Sequence, residues 1–383
     1  MNALALRLTG AQVLRPAGLS DAPLAFANGL LVPDTATLRE IDLTGYMVLP
    51  GIVDAHGDGF ERHLAPRRGA MKDIDQGLVT AEAEIAANGI TTAVMAQFYS
   101  WEGGMRGPEF AQRVFEGLAK MRPHVTTDLL SQLRFETPMV DDYDAVGAMI
   151  ARHSIGYVVF NDHLPHDVLA SGKRPQRLTG QALRIGRNPE KHLAYMQELH
   201  GRQGEVHAAL DAMTQALAAR GVRMGSHDDR TQTERSTWRA RGVQIAEFPE
   251  TTAAVEAAHA AGDPVIMGAP NVVRGGSHNG NDSAAEMAMM GYVDALASDY
   301  HYPSLRRAAF FLEAGGVCDL ATAWGLISSG PARVLGLADR GALTLGQRAD
   351  MVIIDAKTRA VCATLCAGRV SYMSGEVAAR FIK

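Results

Sequence analysis

Six side chains of the types that hold divalent metals sit where apolar runs of this chain end: His56, Asp58, Glu136, His163, His227 and Asp299. The clearest case is the stretch Met47-Val48-Leu49-Pro50-Gly51-Ile52-Val53-Asp54-Ala55-His56-Gly57-Asp58-Gly59. An apolar run ended by glycines reads as a buried strand meeting a loop. Successive side chains of a strand alternate faces, so His56 and Asp58, two apart, point the same way. An imidazole and a carboxylate on one side of a strand end make half of a divalent metal site. Gly57 and Gly59 leave room beside them. One such pair alone reads more readily as a polar strand end followed by a glycine turn. Six imidazole or carboxylate positions at separate strand ends do not. Burying that many charges without partners costs several kcal/mol each, and a cation is the economical counter-charge.

The elements that must position these groups follow a regular pattern. Strands are expected over residues 52–58, 91–97, 127–136, 155–162, 222–227, 243–248, 264–269 and 295–299. Stretches rich in Ala, Leu and Glu at 74–88, 204–220, 252–261 and 321–328 read as helices between them. Eight strands alternating with helices predict an α/β protein, a (β/α)8 TIM-like barrel over residues 51–340. A doubly wound sheet is the rival, but no Gly-x-Gly-x-x-Gly or phosphate-loop lysine pattern supports it. Residues 1–50 and 341–383 alternate short strand-like pieces with turns and predict a small β-sandwich domain built from both chain termini. Residues 164–203, with Lys173-Arg174-Pro175 and a charged run at 184–191, read as an inserted loop or lid.

Composition bounds the function. Hydrophobic residues make up 47% of 383, enough for a large core, and no stretch approaches a membrane span. A formal net charge of -5 gives no basis for a nucleic-acid or membrane-surface binder. The N-terminal residues lack the features of a secretory signal. The three cysteines, Cys318, Cys362 and Cys366, read as reduced packing residues, so a cytoplasmic location is expected.

The general pattern resembles the amidohydrolase superfamily. The marks are Leu-Pro-Gly-Ile-Val-Asp-Ala-His at 49–56, the late Ser298-Asp299, and Gly346-Gln347-Arg348-Ala349-Asp350-Met351-Val352. A closer resemblance is to its phosphonate-pathway diphosphatase branch. It rests on Ser226-His227-Asp228-Asp229, Ile245-Ala246-Glu247-Phe248-Pro249-Glu250-Thr251-Thr252, the long block from Met267 through Asn271, Arg274 and His278 to Asn281, and Ser298-Asp299-Tyr300 followed by Pro303-Ser304-Leu305. The chain departs from the branch in having Gly57 and Gly59 around Asp58, Leu164-Pro165-His166-Asp167 after His163, and its own loop at 97–104. These are substrate-side differences.

The resemblance implies one or two divalent ions, zinc first, with manganese, iron or nickel as alternatives. His56 and Asp58 would hold one ion and His163 and His227 the other, with Glu136 bridging in place of a carboxylated lysine. Asp299 would bind metal and take the proton from the attacking water. Arg274 would stabilise the leaving phosphates, with Asn271, His278, Asn281 and Arg62 as further substrate contacts. The superfamily normally draws its later histidines from strands five and six, whereas the count here gives four and five. Either a strand is miscounted or Glu247 enters the site. The implied reaction is release of pyrophosphate from a ribose 5-triphosphate carrying a phosphonate at C1. Cleavage of a C–N bond in a cyclic or N-acyl amide, and non-catalytic phosphosugar binding, are the competing expectations. The expected partner is a small phosphorylated substrate, with self-association or association with other phosphonate-pathway proteins beside it.

Overall fold

The computed structural model describes residues 3–65, 73–275 and 283–382. Its centre is an eight-stranded parallel sheet in strict chain order. The strands are Ile52–Gly57, Ile90–Tyr99, Asp128–Glu136, Tyr157–Asn161, Arg223–His227, Ile245–Glu247, Val265–Gly268 and Ala295–Ala297. Every residue of the first two is buried, as expected for strands covered on both faces. An isolated parallel bridge between Gly57 and Asp299 links the eighth strand's end to the first, so the sheet is a nearly closed barrel.

Hydrogen bonds at this seam fix the first site residues. The Asp299 N–H donates to the His56 carbonyl at 3.0 Å and the Asp58 N–H to the Asp299 carbonyl at 2.9 Å. Below them the buried Asp54 carboxylate accepts from the Ser298 N–H at 2.9 Å and its hydroxyl at 2.5 Å. A β-carbon on Gly57 would come within 2.8 Å of Asp54 Oδ2 and 2.9 Å of Ser298 Oγ. The room left by this glycine is therefore taken up by the closing strand, not by a ligand.

The chain ends form two further sheets. One has four strands, Leu30–Val32, Leu24–Ala27, Leu6–Thr9 and Arg39–Asp42 in spatial order; the other has six and includes Gln12–Arg15, Tyr46–Pro50, Met351–Asp355 and Val361–Cys366. Tyr46–Pro50 pairs antiparallel with Met351–Asp355, which ties the two ends together. Leu8, Phe26, Val48, Ile353 and Leu365 pack a separate apolar core between these sheets, the arrangement of a small β-sandwich. The chain closes on a helix, Gly375–Ile382, which the strand-like reading of the terminus did not contain; its Val377 and Phe381, four apart, face that core.

The segment after the fourth strand is helical, not a loop. Helices His166–Ala170, Leu178–Arg184 and Pro189–Gly201 precede the long helix Gln203–Ala219. Asn188 caps the third through bonds from the Glu190 and Lys191 N–H groups, and Pro189 follows in the first turn. These helices lie over one mouth of the barrel and help wall a pocket of about 570 Å³.

Candidate metal centre

The polar groups gather at the C-terminal ends of the barrel strands, the face where such barrels do chemistry. Three groups of donors converge there, each with its ligand atoms within 4.8 Å of one another: His56, Asp58 and Asp299; His163, His227 and Asp228; and His56, His227 and Glu247. Five of the six residues singled out from the sequence are in them. The strand count stands, since His163 follows the fourth strand and His227 ends the fifth, and Glu247 enters from the sixth.

Glu247 is built to present one oxygen. Its Oε1 accepts from Gln132 Nε2 at 2.9 Å and from the Tyr157 hydroxyl at 3.0 Å. Its Oε2 lies 3.0 Å from His56 Nδ1 and 3.8 Å from His227 Nε2. Yet Glu247 Oε2, His56 Nδ1 and His227 Nδ1 are all buried without a hydrogen bond. Buried polar atoms that approach closely and do not bond are rare in proteins and suit ligands of a cation. Nearby carboxylates carry the same message. Burial first, and then the Asp58 charge, push the Asp299 carboxyl up to about 6. The donor set of imidazoles and carboxylates fits a divalent metal.

Backbone strain collects at this rim. Asp228, Phe248 and Asp299, which follow the fifth, sixth and eighth strands, have φ of 61°, 53° and 56°. Non-glycine residues in the left-handed region are uncommon and cluster at functional sites.

Glu136 belongs to none of these donor groups. Its Oε1 accepts from His163 Nδ1 at 2.5 Å and its Oε2 from the His163 N–H at 3.0 Å, so both oxygens hold that histidine. Burial opposes the charged imidazole, but the Glu136 charge and the bond to Asp228 carry its pKa up to about 10. His227 is lowered, with burial the largest cause.

Arg134, on the third strand, is the central residue that the sequence reading passed over as part of the run Gln132-Leu133-Arg134-Phe135-Glu136. Its side chain is 5% exposed. Its Nη2 donates to His227 Nε2 at 2.8 Å, its Nη1 lies 3.4 Å from His56 Nε2, and Asp58 Oδ2 is 3.6 Å away. Phe98 lies 3.9 Å beneath its guanidinium, and Arg106 covers Phe98 at 4.2 Å.

The pocket beside these groups is lined by Asp58, His163, Arg134, Arg106, Trp101 and Arg177 among others. It joins the loop after the second strand to the helical segment after the fourth, two of the three places where the sequence differs from the phosphonate-branch pattern. Of the expected substrate contacts, Arg62, Asn271 and Arg274 are not among its lining residues. Arg62 donates to the Tyr300 carbonyl at 2.9 Å and pairs with Glu84. Asn271 Oδ1 accepts from the Ala284 N–H at 3.1 Å, and Arg274 Nε donates to the Pro270 carbonyl at 3.1 Å with its guanidinium 5.8 Å from the Tyr300 ring. His278 and Asn281 lie outside the described residues.

No protein-family model matches the chain. It is 30% identical over 336 residues, 83% of its length and 85% of the relative's, to the alpha-D-ribose 1-methylphosphonate 5-triphosphate diphosphatase of Escherichia coli (strain K12). Among solved structures, the N-acetylglucosamine-6-phosphate deacetylase of Pasteurella multocida superposes with a TM-score of 0.61 at 10% identity, covering 96% of this chain and 99% of that one. The N-acyl-D-glutamate deacylase of Bordetella bronchiseptica, solved with zinc and a phosphonate inhibitor, gives 0.60 at 15% identity, with 97% of each chain covered. At such identities these two speak to the fold alone. The curated relative decides the family: the chain belongs to that of the alpha-D-ribose 1-methylphosphonate 5-triphosphate diphosphatases.

Proposed function

We propose that this protein is a metal-dependent diphosphatase that releases pyrophosphate from alpha-D-ribose 1-methylphosphonate 5-triphosphate or a closely related phosphorylated sugar. The observation that carries this reading is the junction of a donor-rich barrel rim with an arginine-lined pocket, in a chain 30% identical to the diphosphatase named above. His56, Asp58 and Asp299 would hold a divalent ion, zinc by preference for its mixed imidazole and carboxylate donors. Such an ion lowers the pKa of water towards roughly 7 and so supplies hydroxide at neutral pH.

The chain's own groups do the rest. Asp299, its carboxyl pushed up to about 6, accepts the proton of the attacking water, within the range suited to a base at neutral pH. Arg134 and Arg106 at the pocket wall neutralise phosphate oxygens as charge moves onto the leaving group. His163, which Glu136 and Asp228 keep protonated, donates towards the departing phosphate oxygen.

The direct test is a screen of metal-loaded protein for pyrophosphate release from the methylphosphonate ribose triphosphate and from nucleoside triphosphates. Rapid release from the ribose substrate supports the reading. Hydrolysis of cyclic or N-acyl amides with no action on triphosphates would overturn it while leaving the superfamily assignment intact.

A further inference from the structure

A triphosphate is a chain of anionic groups, and a site that takes one needs cations spaced along it. Among the described residues, Arg134, Arg106 and Arg177 line the pocket of about 570 Å³ beside the metal centre. They stand on three different elements. Arg134, on the third strand, donates to His227 Nε2 at 2.8 Å and so marks the end of the pocket next to that centre. Arg106, in the loop after the second strand, shares the Phe98 ring with it, at 4.2 Å against 3.9 Å. Glu102 carries the line onward: its Oε2 accepts from Arg106 Nη1 and its Oε1 from Gln181 Nε2 of the helical segment, each at 3.0 Å. Gln181 lies one helical turn after Arg177, whose carbonyl accepts the Gln181 N–H at 2.9 Å. The order is therefore metal centre, Arg134, Arg106 and then the lid that bears Arg177.

Arg177 is not used by the fold. Other arginines of the lid are tied: Arg174 pairs with Glu190 at 2.7 Å, Arg202 with Asp141 at 2.6 Å, and Arg187 lies 3.1 Å from His192 Nδ1. Of the lid's arginines only Arg177 lines the pocket, and no described residue takes a hydrogen bond or an ion pair from its guanidinium. Arg106 and Arg134, by contrast, each have an acid nearby, Glu102 and Asp58. A guanidinium holds its charge at any working pH and matches phosphate oxygens two at a time.

The lid that presents Arg177 is seated on the second-strand loop. Besides the Glu102–Gln181 bond, Arg187 Nη1 donates to the Trp101 carbonyl at 3.4 Å, and the Trp101 and His192 rings lie 5.8 Å apart. A β-carbon on Gly104 would come within 2.7 Å of Ile185 Cγ2, so the two segments touch directly. A wall already ordered in this way costs little to organise when a ligand arrives.

We propose that Arg177 is a specificity-determining residue of this pocket: it takes the terminal phosphate, so the lid selects three phosphates over two. The proposal rests on the diphosphatase reading above and deepens it. With the bond to be cut at the metal centre, the phosphates that leave extend past Arg134 and Arg106, and the last of them reaches the lid.

The test compares two lengths of phosphate chain on the full-length, metal-loaded protein. Pyrophosphate release from alpha-D-ribose 1-methylphosphonate 5-triphosphate gives kcat/KM, and the corresponding 5-diphosphate is measured as a competitive inhibitor. Arg177→Met should lower kcat/KM for the triphosphate by about tenfold or more, while the inhibition constant of the diphosphate moves by less than about threefold. An equal change for both chain lengths, or no change for either, overturns the proposal. So does a variant that fails to fold, since the exposed Arg177 would then be structural. A wild type that neither cleaves nor binds the triphosphate sinks the diphosphatase reading as well. A wild type that cleaves it, beside an unaffected Arg177→Met, sinks this proposal alone.

Discussion

His56 Nδ1 and Glu247 Oε2 lie 3.0 Å apart, wholly buried, and form no hydrogen bond. Glu247 Oε1 is fixed by Gln132 and Tyr157, so the carboxylate cannot turn to improve the contact. The carboxylate stays charged: burial opposes ionisation, but His56 and His227 bring its pKa down to about 2. A charge held in place beside two imidazoles tunes whatever those imidazoles bind. Glu247→Gln keeps the shape and removes the charge. Metal affinity should fall on the order of 10- to 100-fold, the usual cost of losing a partner of a ligating histidine. Calorimetric zinc titration checks it, and unchanged affinity would show that Glu247 serves only the barrel core.

Glu136 offers a second, separable test. With both oxygens on His163, it sets that ring's orientation and keeps it charged. In Glu136→Gln the amide can still meet the backbone N–H, but no longer supports a cationic ring. Turnover should drop on the order of 10²-fold, as for loss of a catalytic electrostatic group, and occupancy of the metal site should weaken. Steady-state rates together with elemental analysis read both effects. A full rate with full metal content would make Glu136 purely structural.

Most of the barrel was legible because its strands are apolar runs stopped by polar or glycine residues, and all eight begin and end within two residues of the expected positions. His56, Asp58, His163, His227 and Asp299 were found for the same reason: a strand end is a local feature. Arg134 was not, although strand parity puts it on the same face as Glu136, two residues on, because a guanidinium is no metal ligand and the search was for imidazoles and carboxylates. Its contacts with His56 and His227 join strands 78 and 93 residues apart in sequence. Glu247 surfaced only as a question about strand count, since its value comes from Gln132 and Tyr157, which are 115 and 90 residues away. The helical lid escaped because two of its helices have only five and seven residues, too short to be marked by periodicity or to stand by propensity.

Glu61 gives a prediction about stability and pH. Its Oε1 is buried without a hydrogen bond. Burial first, then the Asp58 charge, push its carboxyl up to about 7, from an unfolded value near roughly 4.3. A raised acid favours the protonated folded form, so its contribution to stability is lost as pH rises from the unfolded value through about 7. Glu61→Gln should therefore raise the melting temperature at pH 8 and leave it almost unchanged at pH 4, a gain of about 1–2 kcal/mol after allowance for partial solvation. Thermal melts of both proteins at the two pH values decide. An equal shift at both would mean that the gain does not come from ionisation.

The last prediction separates two arginines. Sequence reasoning placed the phosphate contact at Arg274, whose Nε is engaged by the Pro270 carbonyl. Arg106 instead lines the pocket beside Arg134, with Phe98 between the two guanidinium groups at 4.2 and 3.9 Å. If the triphosphate occupies this pocket, Arg106 carries part of its charge. Arg106→Met keeps the contact with Phe98 and removes the charge. It should lower kcat/KM by roughly 2–4 kcal/mol in transition-state terms, as for a phosphate oxygen left without its partner. The loss should also flatten the dependence of KM on salt, because one attractive charge has gone. Arg274→Ala, measured beside it, should fall as far only if the triphosphate extends to the rim of the seventh strand, where Arg274 sits over Tyr300. A large loss at Arg274 with none at Arg106 would move the phosphates out of the pocket and onto that rim.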